Sequence, residues 1–246
     1  MYPANATPHP STTCHVPEYF HLAETNDILQ LVVDMFNRLI IHNDAIPVTP
    51  NNLTRFHSRA SPNISINDYL RRIVKYASVE KSVLLLLLIY IDRICERSKL
   101  FTISSLTAHR FIITAVTVGS KTISDIYPTN THFAKVGGIS VVELNLLEVE
   151  MCTTINWRLA VTVEVLQQYY VNLVRTSSMF AFQTPGTSNS RGSPIIMTNS
   201  DTSCISQQPP IQNHQETPIS PPPDGVLLHP SVPLPSTLLH KPHQTQ

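Results

Sequence analysis

The amino-acid sequence predicts an all-α protein, and three observations predict it. Between residues 22 and 175 apolar side chains recur every three or four positions, as one face of a helix requires, and no stretch keeps a period of two. Pro47, Pro50, Pro62 and Pro128 fall between those stretches rather than inside them, where a missing N–H and a fixed φ do no damage. Polar residues able to cap a helix (Thr25 and Asn26, Ser65, Ser104 and Ser105, Ser140, Thr162) stand near the starts of the stretches.

Taken in order, Ile28, Leu31, Val32, Met35 and Leu39 mark a first helix that ends before Pro47, and a loop carrying Pro50, Asn51, Asn52 and Pro62 follows. A second helix from about Ser65 sets Ile66, Leu70, Ile73 and Ala77 on one face and Arg71, Arg72 and Lys75 on the other. The third, about Val79 to Arg97, is apolar nearly all round, so it is buried on most sides. The fourth opens at Ser104 and Ser105 and runs to about Ser124, Pro128 forces a break, and a short helical turn spans Thr131 to Val136. Ser140 with Glu143 has the pattern of a capping box for the next helix, which extends to about Asn156. Trp157 and Leu159 follow, and Thr162 caps a last helix ending near Arg175.

Outside these limits the composition changes. Beyond Thr176 come Pro194, Pro209, Pro210 and the run Pro221 to Pro223 among many Ser, Thr, Gln and Asn. Such a segment buries too little apolar surface to offset its chain entropy. The sequence therefore divides into a disordered segment 1–21, an N-terminal helix and loop 22–53, a helical domain 54–175 and a disordered Pro/Ser-rich tail 176–246. Thr184-Pro185, Ser193-Pro194, Thr217-Pro218 and Ser220-Pro221 in that tail are minimal proline-directed phosphorylation sites, dipeptides common in any such composition.

Composition excludes several functions. Seventeen basic and seventeen acidic residues give a formal net charge of zero, which argues against a chain that lives on phosphate backbones or anionic lipid. Cys14, Cys95, Cys152 and Cys204 lack the short spacing of a zinc site; no metal and no cofactor is indicated, and a reduced, intracellular protein is expected. The N-terminus has neither a basic start nor an apolar run, so no signal peptide is expected. The most apolar stretch, Val83 to Ile91, is about half of what a membrane span needs. No Gly-x-Gly-x-x-Gly or Walker pattern is present, and His57, His109 and His132 stand apart from any nucleophile in a recognisable setting. No catalytic residue is expected; Asp92 and Arg93, ending the most buried helix, read as makers of structural hydrogen bonds, and His109 with Arg110 as a helix-surface or interface pair.

One segment, Ser120 to Glu148, concentrates what remains. Before residue 180 the only glycines are Gly119, Gly137 and Gly138, and the adjacent pair suits a helix stop and restart. Val141, Leu144, Met151 and Ile155 form an apolar stripe that contains Glu148. A carboxylate there costs several kcal/mol unless it is paired. An internal ion pair would satisfy it, and so would donors brought by another chain. Lys121, in the last turn of its helix, is accounted for by the helix dipole alone.

Residues along this stretch carry a resemblance. Tyr90-Ile91-Asp92-Arg93, Ser120-Lys121, the Leu144 to Glu148 spacing and Trp157 to Leu159 resemble the helix ends of a cyclin box. Phe56-His57-Ser58, Ile64 to Tyr69, His109-Arg110, Asp125, Asn130 and Phe133 through Ile139 are similar to the PHO-type cyclins of fungi, protists and plants. The match covers about residues 54–172. It implies a five-helix cyclin-box bundle with flanking N- and C-terminal helices, and a regulatory rather than catalytic protein.

The partner implied is the catalytic subunit of a cyclin-dependent protein kinase, held in a heterodimer without nucleic acid or membrane, in nucleus and/or cytoplasm. By the same resemblance Lys121 and Glu148 bond the backbone around the kinase's regulatory helix, with Asp125, Asn130, Phe133 and Lys135 also facing the kinase. Gly137, Gly138, Asp92, Arg93 and Trp157 are implied to be structural. Pro62 to Ile66 lacks the apolar docking patch of cell-cycle cyclins, Thr122 and Ile123 depart from the bulky or acidic residues of many members, and the tail is too poor in apolar residues for a second box. The alternative is a helical adaptor or transcription-factor-like module of the same fold, with Arg71, Arg72 and Lys75 as its only basic face.

Overall fold

A computed structural model describes residues 13–99 and 101–183. The expectation of disorder for residues 1–12 and 184–246, with the four proline-directed dipeptides, lies outside the described residues. Within them seven α-helices follow one another: α1 (Thr25–Asn43), α2 (Ile66–Ala77), α3 (Lys81–Arg97), α4 (Ala108–Ile123), α5 (Asn130–Gly137), α6 (Val141–Thr154) and α7 (Val163–Thr176). This is the all-α architecture expected from the three-and-four periodicity.

The apolar α3 is the hub. Every residue from Val83 to Ile91 is buried, and the helix lies against α1, α4, α6 and α7. α4, equally apolar, packs on α2, α3, α5 and α6. Phe36, Phe56, Phe101 and Phe111 meet in an aromatic cluster at one end of this core. The amphipathic α2 places Ile66, Leu70, Ile73 and Ala77 inward as its pattern requires, with the Ser65 side chain accepting from Asp68 N–H at 3.1 Å.

Several boundaries differ from the sequence reading. α1 begins after Glu24, without a side-chain cap from Thr25 or Asn26. α4 begins at Ala108, because Ser104 to Thr107 form a separate turn: Ser104 N–H donates to Thr107 Oγ1 at 2.8 Å, and Ser58 N–H and Oγ–H both donate to Leu106 O. Ser140 accepts from Glu143 N–H at 3.1 Å, but the Glu143 carboxylate pairs with Arg110 and so leaves the capping box half formed. α6 ends at Thr154, and Asn156 and Trp157 then adopt left-handed φ of 54° and 58°.

The largest correction concerns the termini of the domain. Cys14–Val16 (β1) pairs in parallel with Phe180–Phe182 (β2), Val16 opposite Phe182, in segments assigned to disorder. Each strand has three residues, too short to show a period of two, and each holds its place by docking: Val16 and Phe180 are buried, Tyr170 Oη donates to Pro17 O at 2.7 Å, and Gln167 donates to Glu18 O at 2.8 Å. The order comes from contacts across more than a hundred residues, which local composition does not record.

Candidate functional site

The segment Ser120 to Glu148 folds into the end of α4, the whole of α5 and most of α6, and it brings four polar side chains together. Lys121 Nζ donates to both oxygens of Glu148, at 2.6 and 2.9 Å. Asn130 Nδ2 donates to Glu148 Oε2 at 2.9 Å and to Asn145 Oδ1 at 2.7 Å. Of the two readings left open for Glu148, the internal pair is therefore the one realised in the free chain. The Lys121 and Glu148 side chains remain 30% and 19% exposed, so the cluster lies at a surface and not in the core. A carboxylate offers about four acceptor positions and an ammonium three donors; neither is exhausted.

The glycine pair sets this geometry, each member in its own way. Gly138 takes φ 71° at the C-cap of α5, the left-handed conformation a side chain disfavours, and Ile139 N–H closes the turn on Ala134 O at 3.0 Å. Gly137 is needed for space. A Cβ there would lie 2.5 Å from Ile113 Cγ1 on α4, and its carbonyl accepts from Tyr69 Oη at 3.1 Å. α5 is thus pulled close to α4, which carries Lys121, while Asn130 at its other end reaches α6.

The remaining residues assigned to the partner face divide. Asp125 and Lys135 are exposed. Phe133 is fully buried, which corrects its assignment: it anchors α5 in the core and presents no ring to a partner. Trp157 moves the other way. Expected as a structural residue, it is 65% exposed, and only its backbone is structural, Trp157 N–H donating to Cys152 O at 2.8 Å. Sequence reasoning also missed Val142, Leu146 and Val149, which are exposed on the outer side of α6. Their i, i+4, i+7 spacing is a second apolar stripe, masked because the buried stripe of the same helix satisfies the pattern first. Ile126 and Tyr127, beside Asp125, are exposed as well.

Asp92 and Arg93 both make side-chain hydrogen bonds to other elements of the fold. Arg93 donates to the carbonyls of Arg158 and, at 3.0 Å, Ala160, and so fastens the α6–α7 connection to α3. Tyr169 Oη donates to Asp92 Oδ2, while Asp92 Oδ1 is buried without a partner. Burial pushes the Asp92 carboxyl up to about 6, opposed by the Tyr169 hydrogen bond. A carboxyl whose folded pKa exceeds its unfolded one favours folding below the unfolded value and loses that contribution as pH rises through the folded value. Asp92→Asn is thus expected to raise stability at pH 7 by about 1–3 kcal/mol and to flatten the fall between pH 4 and 6, read by denaturant unfolding at each pH. His109, expected with Arg110 as a helix-surface or interface pair, is buried, its Nε2 2.9 Å from Ile64 O; Arg110 alone of the two reaches outward, to Glu143.

A cyclin family model matches residues 28–159. The chain belongs to the cyclin family. Among this cyclin's relatives, the Nuc-1 negative regulatory protein preg of Neurospora crassa is 43% identical over 162 residues, covering 65% of this chain and 34% of its own length. The PHO85 cyclin PHO80 of Saccharomyces cerevisiae is 40% identical over 148 residues, 58% of this chain and 50% of its own. Cyclin-U4-1 of Arabidopsis thaliana is 32% identical over 158 residues, 64% of this chain and 71% of its own. The chain thus spans about a third and a half of the first two relatives, and the group is that of the PHO-type cyclins. Members of this family are regulatory subunits rather than enzymes.

Proposed function

We propose that this cyclin binds and activates a PHO85-type cyclin-dependent protein kinase as a one-to-one heterodimer, with no catalysis of its own, in the nucleus and/or the cytoplasm. The observation that carries the reading is the outer face of α6: Val142, Leu146 and Val149 stand exposed on the helix that bears Glu148, with exposed Trp157 just beyond its end. An apolar stripe beside a small charged cluster is what a partner helix needs: area to bury, and groups to bond the backbone at its end.

The mechanism is positional. A protein kinase is active when its strand lysine pairs with the glutamate of its regulatory helix, which must swing inward. A cyclin that binds the inward state better shifts the population by the difference in affinity. In this chain the stripe on α6 takes the helix's apolar side, and Lys121, Glu148 and Asn130 supply donors and acceptors to the adjoining backbone. The pair's own bonds hold both side chains in place before the encounter, which lowers the entropy lost on binding.

The test is activation of a PHO85-type kinase by the purified chain, with and without Leu146→Ala and Trp157→Ala together. Both residues are exposed, so the variant is expected to keep its helicity while losing about 30-fold or more in kinase affinity, as truncation of an aromatic anchor does. Unchanged activation by the variant would place the kinase on another face.

A further inference from the structure

The basic face of α2 has no role in that reading. Arg71, Arg72 and Lys75 are exposed, and Lys135 of the adjacent α5 joins them: Arg72 Nη2 donates to Lys135 O at 3.3 Å. None of the four forms an ion pair with a described acid. In a chain of zero formal net charge, four unneutralised cations on two packed helices are a local field that the remainder of the molecule does not demand.

Each α2 cation is also held by one contact that leaves most of its donors free. Arg71 Nε donates to Asn67 Oδ1 at 3.1 Å, Arg72 uses one nitrogen on Lys135 O, and Lys75 Nζ lies 5.2 Å from the centre of the Tyr76 ring. Arginine carries five N–H donors in a planar fork suited to carboxylates. Tyr76, itself exposed, adds an aromatic surface inside the same patch, and its carbonyl is 2.7 Å from His132 Nε2, which ties the end of α2 to α5.

We propose that this α2–α5 face docks an acidic linear segment of a partner protein, rich in Asp and Glu and carrying one apolar residue for Tyr76. The patch is small: Arg71 to Lys75 covers about 6 Å of helix axis. That suits a few carboxylates of an extended peptide. Nucleic-acid binding draws its affinity from neutralising a run of phosphates with many cations, and this patch offers four on a short length of helix in a chain of zero formal net charge. The proposal does not rest on the kinase reading: Lys135 is shared with the residues expected to face the kinase, but Arg71, Arg72 and Lys75, which carry the face, are not among them, and its ligand is bound directly.

The experiment is fluorescence anisotropy of the full chain with a labelled acidic peptide of about a dozen residues containing one Leu, against a duplex DNA and anionic phosphatidylserine vesicles. The peptide is expected to bind with micromolar to submillimolar affinity that weakens with salt. Arg71→Gln, Arg72→Gln and Lys75→Gln together are expected to weaken it about tenfold or more, with helicity and kinase association retained. Leu146→Ala with Trp157→Ala is expected to leave peptide binding unchanged. Equal peptide binding by the triple variant, no binding at millimolar peptide, or tighter binding of DNA or vesicles than of peptide each overturns the proposal.

Discussion

Exchanging the charges in one chain, Lys121→Glu with Glu148→Lys, is expected to keep the domain folded and to weaken kinase association by roughly 30-fold or more. The wild-type pair spans α4 and α6 at 2.6 Å, and its side chains are partly exposed, so a reversed pair keeps the Coulombic attraction at similar cost. What changes is the polarity shown to a partner at each position. Groups that bond the ends of a kinase helix need a donor at one point and an acceptor at the other, and reversal presents like against like, costing about 2–5 kcal/mol, or roughly 30-fold to several thousandfold in affinity. Calorimetry with the kinase and a thermal melt of the free chain together give the answer. A swapped chain that melts like wild type and binds the kinase as tightly as wild type would make the pair a purely internal brace. Lys121→Ala alone discriminates less well, because it leaves Glu148 with Asn130 as its remaining donor and mixes loss of stability with loss of binding.

That experiment is needed because sequence and geometry say different things about the same two residues. The apolar stripe of α6 was legible, and with it the anomaly of Glu148; whether its counter-charge came from inside the chain was not, since Lys121 lies 27 positions away and only the α4–α6 packing brings it near. The helices were legible for the same reason that the strands were not. Periodicity records one-sided burial of a single element, which fixes α1 to α7 to within a few residues. β1 and β2 owe their order to each other and to α7. Phe133 and Trp157 show the limit within the site: a motif gives the positions of aromatic residues, while burial of one and exposure of the other depend on how α5 and the end of α6 are seated. The positive φ of Asn156 and Trp157 has no glycine to announce it. Non-glycine residues in that region cost about 1–3 kcal/mol each, and here the strain turns the chain sharply while leaving the indole outside.

Replacing Gly137 is expected to damage the fold and the site together, and the two glycines of the turn should respond differently. At Gly138 a Cβ meets nothing within 4 Å, so Gly138→Ala bears only the backbone strain at φ 71°, about 1 kcal/mol. At Gly137 the new Cβ would overlap Ile113 Cγ1 at 2.5 Å and crowd its Cδ1 and Cβ at 3.1 and 3.2 Å. Ile113 is fully buried in α4, so it has no open space to yield into, and α5 must move away. Gly137→Ala is expected to cost about 1–3 kcal/mol and Gly137→Val more. Movement of α5 also draws Asn130 from Glu148 and so loosens the cluster without touching it. Ile113→Ala removes the two closest atoms, Cγ1 and Cδ1. The double variant Gly137→Ala with Ile113→Ala is therefore expected to be less destabilised than the sum of the singles, by about 1 kcal/mol or more in a denaturant-unfolding cycle. Strict additivity would mean that α5 does not pack on α4 through this contact. Recovery of kinase affinity in the double relative to Gly137→Ala would show that the close approach of these two helices sets the spacing of Lys121, Asn130 and Glu148.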